Sequence, residues 1–266
     1  MGGRFPQNAQ AGVITVIPSE LVSLDPLQAL IAVAVVLVGG FLRGFVGFGS
    51  ALVIIPVLAL IFTPTLAVIM HVIMDLPSIV QLLPTAFRHC ARRTVLPMIL
   101  SLLVGVPVGA YFLSIIDAEP MRIIICVLVL IMVGILALNT RVVIAAGGKT
   151  IVTGGVFGGI VQGMAGVGGP PIVALLLSRK EDPETTRGNI VVMMSSFTIS
   201  AIMVYWAFGL ISVRSLILGG CAAPMYMSAA YLGSRYFRTG GSGIFRTIAL
   251  LILALTALGT LVLSFW

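Results

Sequence analysis

Two ionisable residues, His71 and Asp75, lie four positions apart inside a long apolar stretch of the chain. A spacing of four places both side chains on the same face of a helix. Ionisable groups in an apolar environment are costly, so they usually mark paired sites or polar cavities. The pair predicts one of two roles, a proton-coupling element or a structural hydrogen bond that holds helices together beside Pro77.

A glycine pattern occurs twice, again within apolar sequence. The first copy consists of Gly39, Gly40, Gly44, Gly47 and Gly49, and the second of Gly158, Gly159, Gly163, Gly166 and Gly168, each 119 positions later. A glycine-rich break in a membrane helix leaves backbone groups that must face protein, water or a ligand. The helix that restarts after such a break presents N–H groups and a positive dipole end, which attract anions. The alternative is that the glycines serve close helix packing alone.

Polar residues near the two breaks complete a predicted anion site. Arg43 directly precedes the first glycine loop and either binds an anion or extends to the lipid headgroups, and Gln162 holds the equivalent position in the second copy. Serine and threonine hydroxyls at 195–200 either bind anion oxygens or satisfy helix carbonyls. The predicted substrate-binding residues are Arg43, Gly44, Gly47, Gly49, Ser50, Gln162, Gly163, Gly166, Gly168, Gly169, Arg187 and Asn189.

The composition sets the class of protein that must position these residues. Hydrophobic residues make up 59% of the 266 residues, charged residues 9%, and the mean hydropathy is +1.20. A soluble domain carries roughly 25% charged residues, so this chain cannot cover a water-facing surface. Continuous apolar runs such as 123–138 indicate helices rather than the short alternating strands of a β-barrel. The sequence therefore predicts a polytopic helical membrane protein.

Ten apolar runs predict the membrane segments. They fall at 27–46, 50–62, 65–87, 94–116, 121–139, 150–166, 168–178, 186–209, 213–234 and 244–264. The runs 50–62 and 168–178 are shorter than the ~20 residues that span the hydrocarbon. Both follow a glycine motif, so each is either a short crossing completed by a loop at membrane depth or a re-entrant helix.

The basic residues decide the predicted topology, and their position between apolar runs indicates orientation rather than nucleic-acid binding. If both short segments cross, Lys and Arg divide 12 to 3 between the two sides; if both turn back, they divide 7 to 8. The first division obeys the positive-inside rule and places both termini outside. Five crossings per half is an odd number, so the two halves are predicted to be inverted repeats, with glycine-broken short helices near the midplane.

The predicted divisions are an external arm (1–26, without the features of a signal peptide), repeat 1 (27–140), a cytoplasmic linker (141–149) and repeat 2 (150–266).

The stretch from Gly44 to Pro56 and its repeat from Gly163 to Pro171 resemble the sulfite exporter TauE/SafE family. The resemblance extends to Pro64 and Ala67 in the first half and to 186–189 in the second. It implies a transporter of small sulfur-containing anions, such as sulfite and sulfonates, in the bacterial inner membrane. The chain departs from the family pattern at Ser50 and Ala51, where further glycine is expected.

These observations predict a secondary transporter that exports a small sulfur-containing anion such as sulfite or sulfoacetate by alternating access. Proton coupling through His71 and Asp75 is a further expectation. The expected partners are the anion, membrane lipid and protons, with no nucleic acid, no cofactor and no metal, and a homodimer is compatible with the sequence. An anion channel is the alternative, and an intramembrane enzyme is less favoured because neither HExxH nor Gly-x-Ser-x-Gly occurs. The absence of a Walker phosphate loop argues against ATP-driven export by this chain.

Overall fold

The computed structural model describes residues 25–137, 148–177, 179 and 181–237, and this part of the chain is helical. Its helices are α1 (Pro26–Val46), α2 (Ser50–Ile61), α3 (Pro64–His89), α4 (Arg92–Ile115), α5 (Ala118–Ala137), α6 (Gly148–Ala165), α7 (Gly169–Leu177), α8 (Pro183–Ala207) and α9 (Val213–Phe237). The predicted arm and linker lie almost wholly outside the described residues, and the predicted tenth run at 244–264 lies outside them.

The all-helical prediction is confirmed, since each of the first nine apolar runs coincides with one of these helices. Among the described residues, five helices are long and apolar enough to cross a membrane: α1, α3, α4, α8 and α9. Apolar side chains such as Leu30, Val104 and Leu232 are exposed on their outer faces, as lipid-facing residues are. The chain is therefore a multi-pass membrane protein.

Equivalent helices in the two halves begin with equivalent caps. The Thr63 side chain accepts a hydrogen bond from the Leu66 N–H at the start of α3, and the Asp182 carboxylate accepts one from the Thr185 N–H at the start of α8. Each cap satisfies an N–H group that the first helical turn leaves without a partner. Because the two caps are 119 positions apart, the repeat extends beyond the glycines to the helix boundaries.

The glycine motif ends the first helix of each half. Gly47 (φ 87°) closes α1 and Gly166 (φ 70°) closes α6, in the left-handed conformation that glycine adopts without strain. The Gly47 N–H donates to the carbonyl of Arg43, and the Gly166 N–H donates to that of Gln162. The same turn is therefore built twice.

The earlier glycines of each motif bring helices together. A Cβ at Gly40 or Gly44 would overlap backbone carbonyls of α9, at Tyr226 and Ala230, so only glycine permits this contact. Residue numbers rise together along the contact, so α1 and α9 run parallel. In the second half the same contact joins α6 to α4, where Gly163 packs against the Val106 carbonyl.

After each glycine turn the chain folds back on itself. Gly39 of α1 lies against Ile54 of α2, and Gly158 of α6 lies against Ile172 of α7, so each pair forms a helical hairpin. The short helices α2 and α7 therefore turn back toward the end where each hairpin began and do not cross the whole bundle, which corrects the prediction from the basic residues that both segments cross. The long helices α3 and α8 then pack against each other at the centre. They are antiparallel, because Thr198 contacts Asp75 whereas Gly188, ten residues earlier, lies against Ala86.

Candidate functional site

The two glycine loops line one small cavity of about 40 Å³. Its lining comprises Arg43, Phe48, Gly49, Ser50, Ala51, Leu52, His71, Asp75, Gln162, Gly166, Val167, Gly169, Pro170, Met194, Phe197 and Thr198. The lining residues from α3 and α8 lie near the middle of those helices. The tips of both hairpins therefore meet halfway along the molecule.

A buried ion pair forms one wall of the cavity. Arg43 Nε lies 2.9 Å from Asp75 Oδ1 and its Nη2 lies 3.1 Å from Oδ2, so the guanidinium holds the carboxylate with both prongs. The third guanidinium nitrogen, Nη1, donates to the Gly47 carbonyl at 2.6 Å. Arg43 and Asp75 are each only 3% exposed. The arginine therefore does not extend to the headgroups, and it links α1, the first glycine loop and α3.

The Asp75 carboxylate accepts three further hydrogen bonds, from hydroxyl groups of three helices. Ser78 Oγ and Tyr226 Oη donate to Oδ1 at 2.8 and 3.0 Å, and Thr198 Oγ1 donates to Oδ2 at 2.8 Å. With the two contacts from Arg43, five donors surround one carboxylate. Such a shell stabilises the ionised form and fixes its orientation.

His71 is joined to Asp75 indirectly. His71 Nε2 lies 3.0 Å from Ser50 Oγ, and Tyr226 Oη lies 2.9 Å from the same serine oxygen and donates to Asp75. The other imidazole nitrogen, Nδ1, is buried and has no partner among the described residues. The predicted His–Asp pair is thus a chain of four polar side chains in which serine and tyrosine separate the two titratable groups.

The second glycine loop is held by neutral groups. Gln162 Oε1 accepts from the Gly168 N–H at 3.1 Å. Tyr205 Oη donates to the carbonyls of Gln162 and Gly163 at 3.2 and 3.0 Å. The loop therefore uses its own side chain, and a tyrosine of α8, to satisfy backbone groups that the helix break leaves open.

The two short helices differ in what they offer to an anion. The N-terminus of α2 has Gly49 as its cap residue, with no side chain bonded to the first-turn N–H groups, and it faces the cavity. The first turn of α7 contains Pro170 and Pro171, which have no N–H. The anion-attracting end predicted for both helices is therefore stronger at α2, where Arg43 also lies.

Several predicted site residues lie outside the cavity lining. Gly44 and Gly163 pack against neighbouring backbone, so their glycine character is explained by helix contact. Gly47 and Gly168 shape the loops and hydrogen-bond to Arg43 and Gln162 without lining the cavity. The other predicted loop residues, Gly49, Ser50, Gly166 and Gly169, line it.

The structure does not bring Arg187 and Asn189 to the cavity. Asn189 Oδ1 accepts from the Ala91 N–H at 2.7 Å and its amide donates to Glu181, which also pairs with Arg179. These contacts tie the start of α8 to the α3–α4 turn. Asn189 is therefore part of a connection at one end of the bundle, and Arg187 lies two residues before it, near the same end.

Sequence reasoning missed three residues that shape the site: Ser78, Tyr205 and Tyr226. Ser78 lies three positions after Asp75, a helical spacing that predicts contact and could have identified it. The tyrosines carried no such indication, because tyrosine in a membrane segment usually lies at the headgroup level. Both are fully buried instead, with their hydroxyls inside the polar network.

Comparison with known proteins places the chain in a family. A probable sulfite/organosulfonate exporter TauE from Cupriavidus necator is 25% identical over 224 residues, which cover 81% of this chain and 85% of the relative. No solved structure matches the chain at a significant level. The family model described as sulfite exporter TauE/SafE matches residues 31–260. The chain therefore belongs to the sulfite exporter TauE/SafE family, which is a family of exporters and not of enzymes.

Proposed function

We propose that this protein is a secondary transporter that exports a small sulfur-containing anion across the bacterial inner membrane by alternating access. One observation carries the proposal: two glycine-turned hairpins meet at a small cavity that is lined by a buried arginine and an uncapped helix N-terminus. Both features attract negative charge. Family membership supports anion export, and the name of the Cupriavidus necator relative supports sulfite or an organosulfonate as cargo.

An inverted repeat gives this proposal its mechanism. The equivalent helices α3 and α8 run antiparallel, and α1 packs on α9 as α6 packs on α4. The α1–α2 hairpin enters from the end of the bundle that contains Phe62, and the α6–α7 hairpin enters from the end that contains Cys90. Movement of one hairpin relative to the other would then open the cavity to one side at a time.

Charge supports an orientation in which the Cys90 end is cytoplasmic. Within the described ranges, the arginines near the Cys90 end are Arg88, Arg92, Arg93, Arg179, Arg187 and Arg235, and those near the Phe62 end are Arg122 and Arg214. An excess of arginine is typical of cytoplasmic loops. Arg43 does not contribute to this comparison because it lies in the cavity. The placement of both termini on the outside stays a prediction within this proposal.

The size of the cavity favours a compact cargo. One water molecule needs roughly 10–15 Å³ of cavity volume, so about 40 Å³ holds about three. A sulfite ion, with one sulfur and three oxygens, is of comparable size. Sulfoacetate and taurine are larger, so we expect them to require a more open state of the site.

Proton coupling belongs to the same proposal, with His71 as the group that exchanges the proton. Its Nδ1 lacks a partner among the described residues, while Nε2 begins the chain through Ser50 and Tyr226 to Asp75. Asp75 and Arg43 are the charged groups that face it across the cavity. Replacement of His71 by Gln should therefore remove the pH dependence of flux without removing anion binding.

The experiment that tests the function is sulfite counterflow in proteoliposomes containing the purified protein. We expect saturable uptake that is stimulated by internal sulfite, inhibited by thiosulfate more than by taurine, and absent from empty liposomes. Unsaturating current without counterflow would instead support the channel. No flux of sulfite, thiosulfate, sulfate, sulfoacetate or taurine in either direction would refute the proposal.

A further inference from the structure

The shell around Asp75 is itself an oxyanion-binding site that is already filled. Two guanidinium nitrogens of Arg43 and the hydroxyls of Ser78, Thr198 and Tyr226 surround the two carboxylate oxygens at 2.8–3.1 Å. Guanidinium and hydroxyl donors at this spacing bind sulfur oxyanions as well as carboxylates. Nothing in this arrangement is specific to a carboxylate that belongs to the protein.

A buried ion pair of this kind is expensive as a purely structural device. Removing both charges from water costs several kcal/mol per ion, and apolar residues of similar volume often stabilise a fold as well or better. Here the pair lies beside the cavity and the α2 N-terminus, where an incoming anion would approach. The incoming anion and the Asp75 carboxylate carry the same charge and require the same donors.

We infer that Asp75 is an internal substitute for the cargo: in the empty transporter its carboxylate occupies Arg43, and the transported oxyanion displaces it. This inference rests on the proposed function and adds the residue that controls it. When cargo is bound, Arg43, Thr198 and Tyr226 turn to the oxyanion, and Asp75 also gives up its bond to Ser78, while the proton taken up by His71 balances the charge of the displaced carboxylate. When cargo leaves, Asp75 returns and neutralises the arginine, so the empty carrier can change conformation without an unpaired buried charge.

The inference predicts opposite effects of Asp75→Asn on sulfite affinity and on net transport. Asp75→Asn removes the competitor for Arg43, so sulfite should bind about tenfold more tightly or better, as the loss of one charge-assisted contact from the competing group implies. The same variant should lose net efflux but retain sulfite–sulfite exchange, because only the empty carrier then holds an uncompensated arginine. A residue with only a structural role would lower affinity, exchange and net efflux together.

Chemical rescue tests the site independently of transport. Asp75→Ala should melt at a lower temperature than the wild type in chloride, and formate, a carboxylate small enough for the vacated space, should restore much of the loss. Glu181→Ala is the matched control, because it removes the carboxylate of an ion pair with Arg179 that lies outside the cavity. Formate should not rescue that variant. Equal rescue of both variants, or of neither, overturns the inference.

A milder variant keeps the test valid if the Asp75 variants do not fold. Ser78→Ala leaves the ion pair intact and removes one hydroxyl that holds Asp75 and does not line the cavity. Sulfite binding, measured by thermal shift, should tighten by a few-fold, and unchanged or weaker binding contradicts displacement of Asp75. If wild-type protein fails to transport any tested sulfur anion while formate still rescues Asp75→Ala, the function falls and the oxyanion site stands.

Discussion

The two glycine loops share a backbone and differ in chemistry. Gly47 and Gly166 close their helices with the same hydrogen bond to the residue four positions earlier. That earlier residue is Arg43 in the first loop and Gln162 in the second. Arg43 reaches across to an aspartate on α3, whereas Gln162 turns back to its own loop. The repeated sequence thus supplies a repeated framework, and two positions place the charges on one side, because Arg43 and Asp75 correspond to Gln162 and Met194.

The difference extends to how each loop is supported. The first loop faces Ser50, Tyr226 and His71, which connect it to the ion pair. The second is capped by the Tyr205 hydroxyl and begins a helix whose first turn contains two prolines. The charged groups of the cavity therefore lie on the first side, and the second side is neutral. The comparison shows that a repeated backbone can carry charge on one side only.

Substitutions at the equivalent positions 43 and 162 should differ most in their effects on sulfite binding and on stability. Arg43→Gln gives the first loop the residue of the second, and it should abolish sulfite binding and cost about 3–5 kcal/mol of stability, because Asp75 is left buried and unpaired. Gln162→Leu removes one hydrogen bond to the Gly168 N–H and should cost about 1 kcal/mol with binding retained. Thermal unfolding and sulfite binding in detergent measure both effects.

The double variant Arg43→Gln/Asp75→Asn is the control for that experiment. With both charges gone it should regain most of the lost stability and still fail to bind sulfite. If Gln162→Leu eliminated binding as completely as Arg43→Gln, the two loops would contribute equally and the comparison would be wrong.

Glycines that pack should behave alike in the two halves. Gly44→Ala and Gly163→Ala would each force a Cβ into a backbone carbonyl of the neighbouring helix, which costs about 1–3 kcal/mol or more. Gly49→Ala meets no atom within 4 Å but keeps a φ of 96°, so about 1–2 kcal/mol of backbone strain is expected. Unfolding temperatures should fall most for the two packing variants and least for Gly49→Ala. An equal fall for all three would show that backbone conformation, and not helix contact, dominates.

The framework could be predicted from the sequence because it is encoded locally. Apolar runs, Pro at the first helical position, capping residues and the 119-residue repeat each report on a short stretch of chain, and they identified nine helices and both breaks. The repeat also indicated that the loops share a site. Arg43, His71 and Asp75 were identified because ionisable side chains are conspicuous in apolar sequence.

The pairing within the site could not be predicted, because it depends on how distant helices align. Asp75 finds its partners 32, 123 and 151 positions away, at Arg43, Thr198 and Tyr226. The sequence suggested a pairing of Asp75 with His71, because the spacing of residues along one helix is the only side-chain geometry that a short stretch of sequence reveals. Gly44 and Asn189 were assigned to the site for a similar reason: glycine and asparagine serve both packing and recognition, and only their contacts distinguish the two uses.

Substitutions of the two helix caps are expected to have the smallest effects on stability, and only one of the two effects should depend on pH. Thr63→Ala should cost about 1 kcal/mol at any pH, because its hydroxyl does not titrate.

Hydrogen bonds from the Thr185 side chain and then from its backbone N–H lower the pKa of Asp182 in the folded protein. Its stabilising effect is therefore present above the pKa of the unfolded chain and is lost as the pH falls through the lower folded value. Asp182→Ala should lower the unfolding temperature slightly at neutral pH, and the difference from wild type should begin to shrink as the pH falls past about 4 and disappear below the folded pKa. A difference for Asp182→Ala that persisted unchanged in acid would mean that the cap acts through shape alone, as the threonine does.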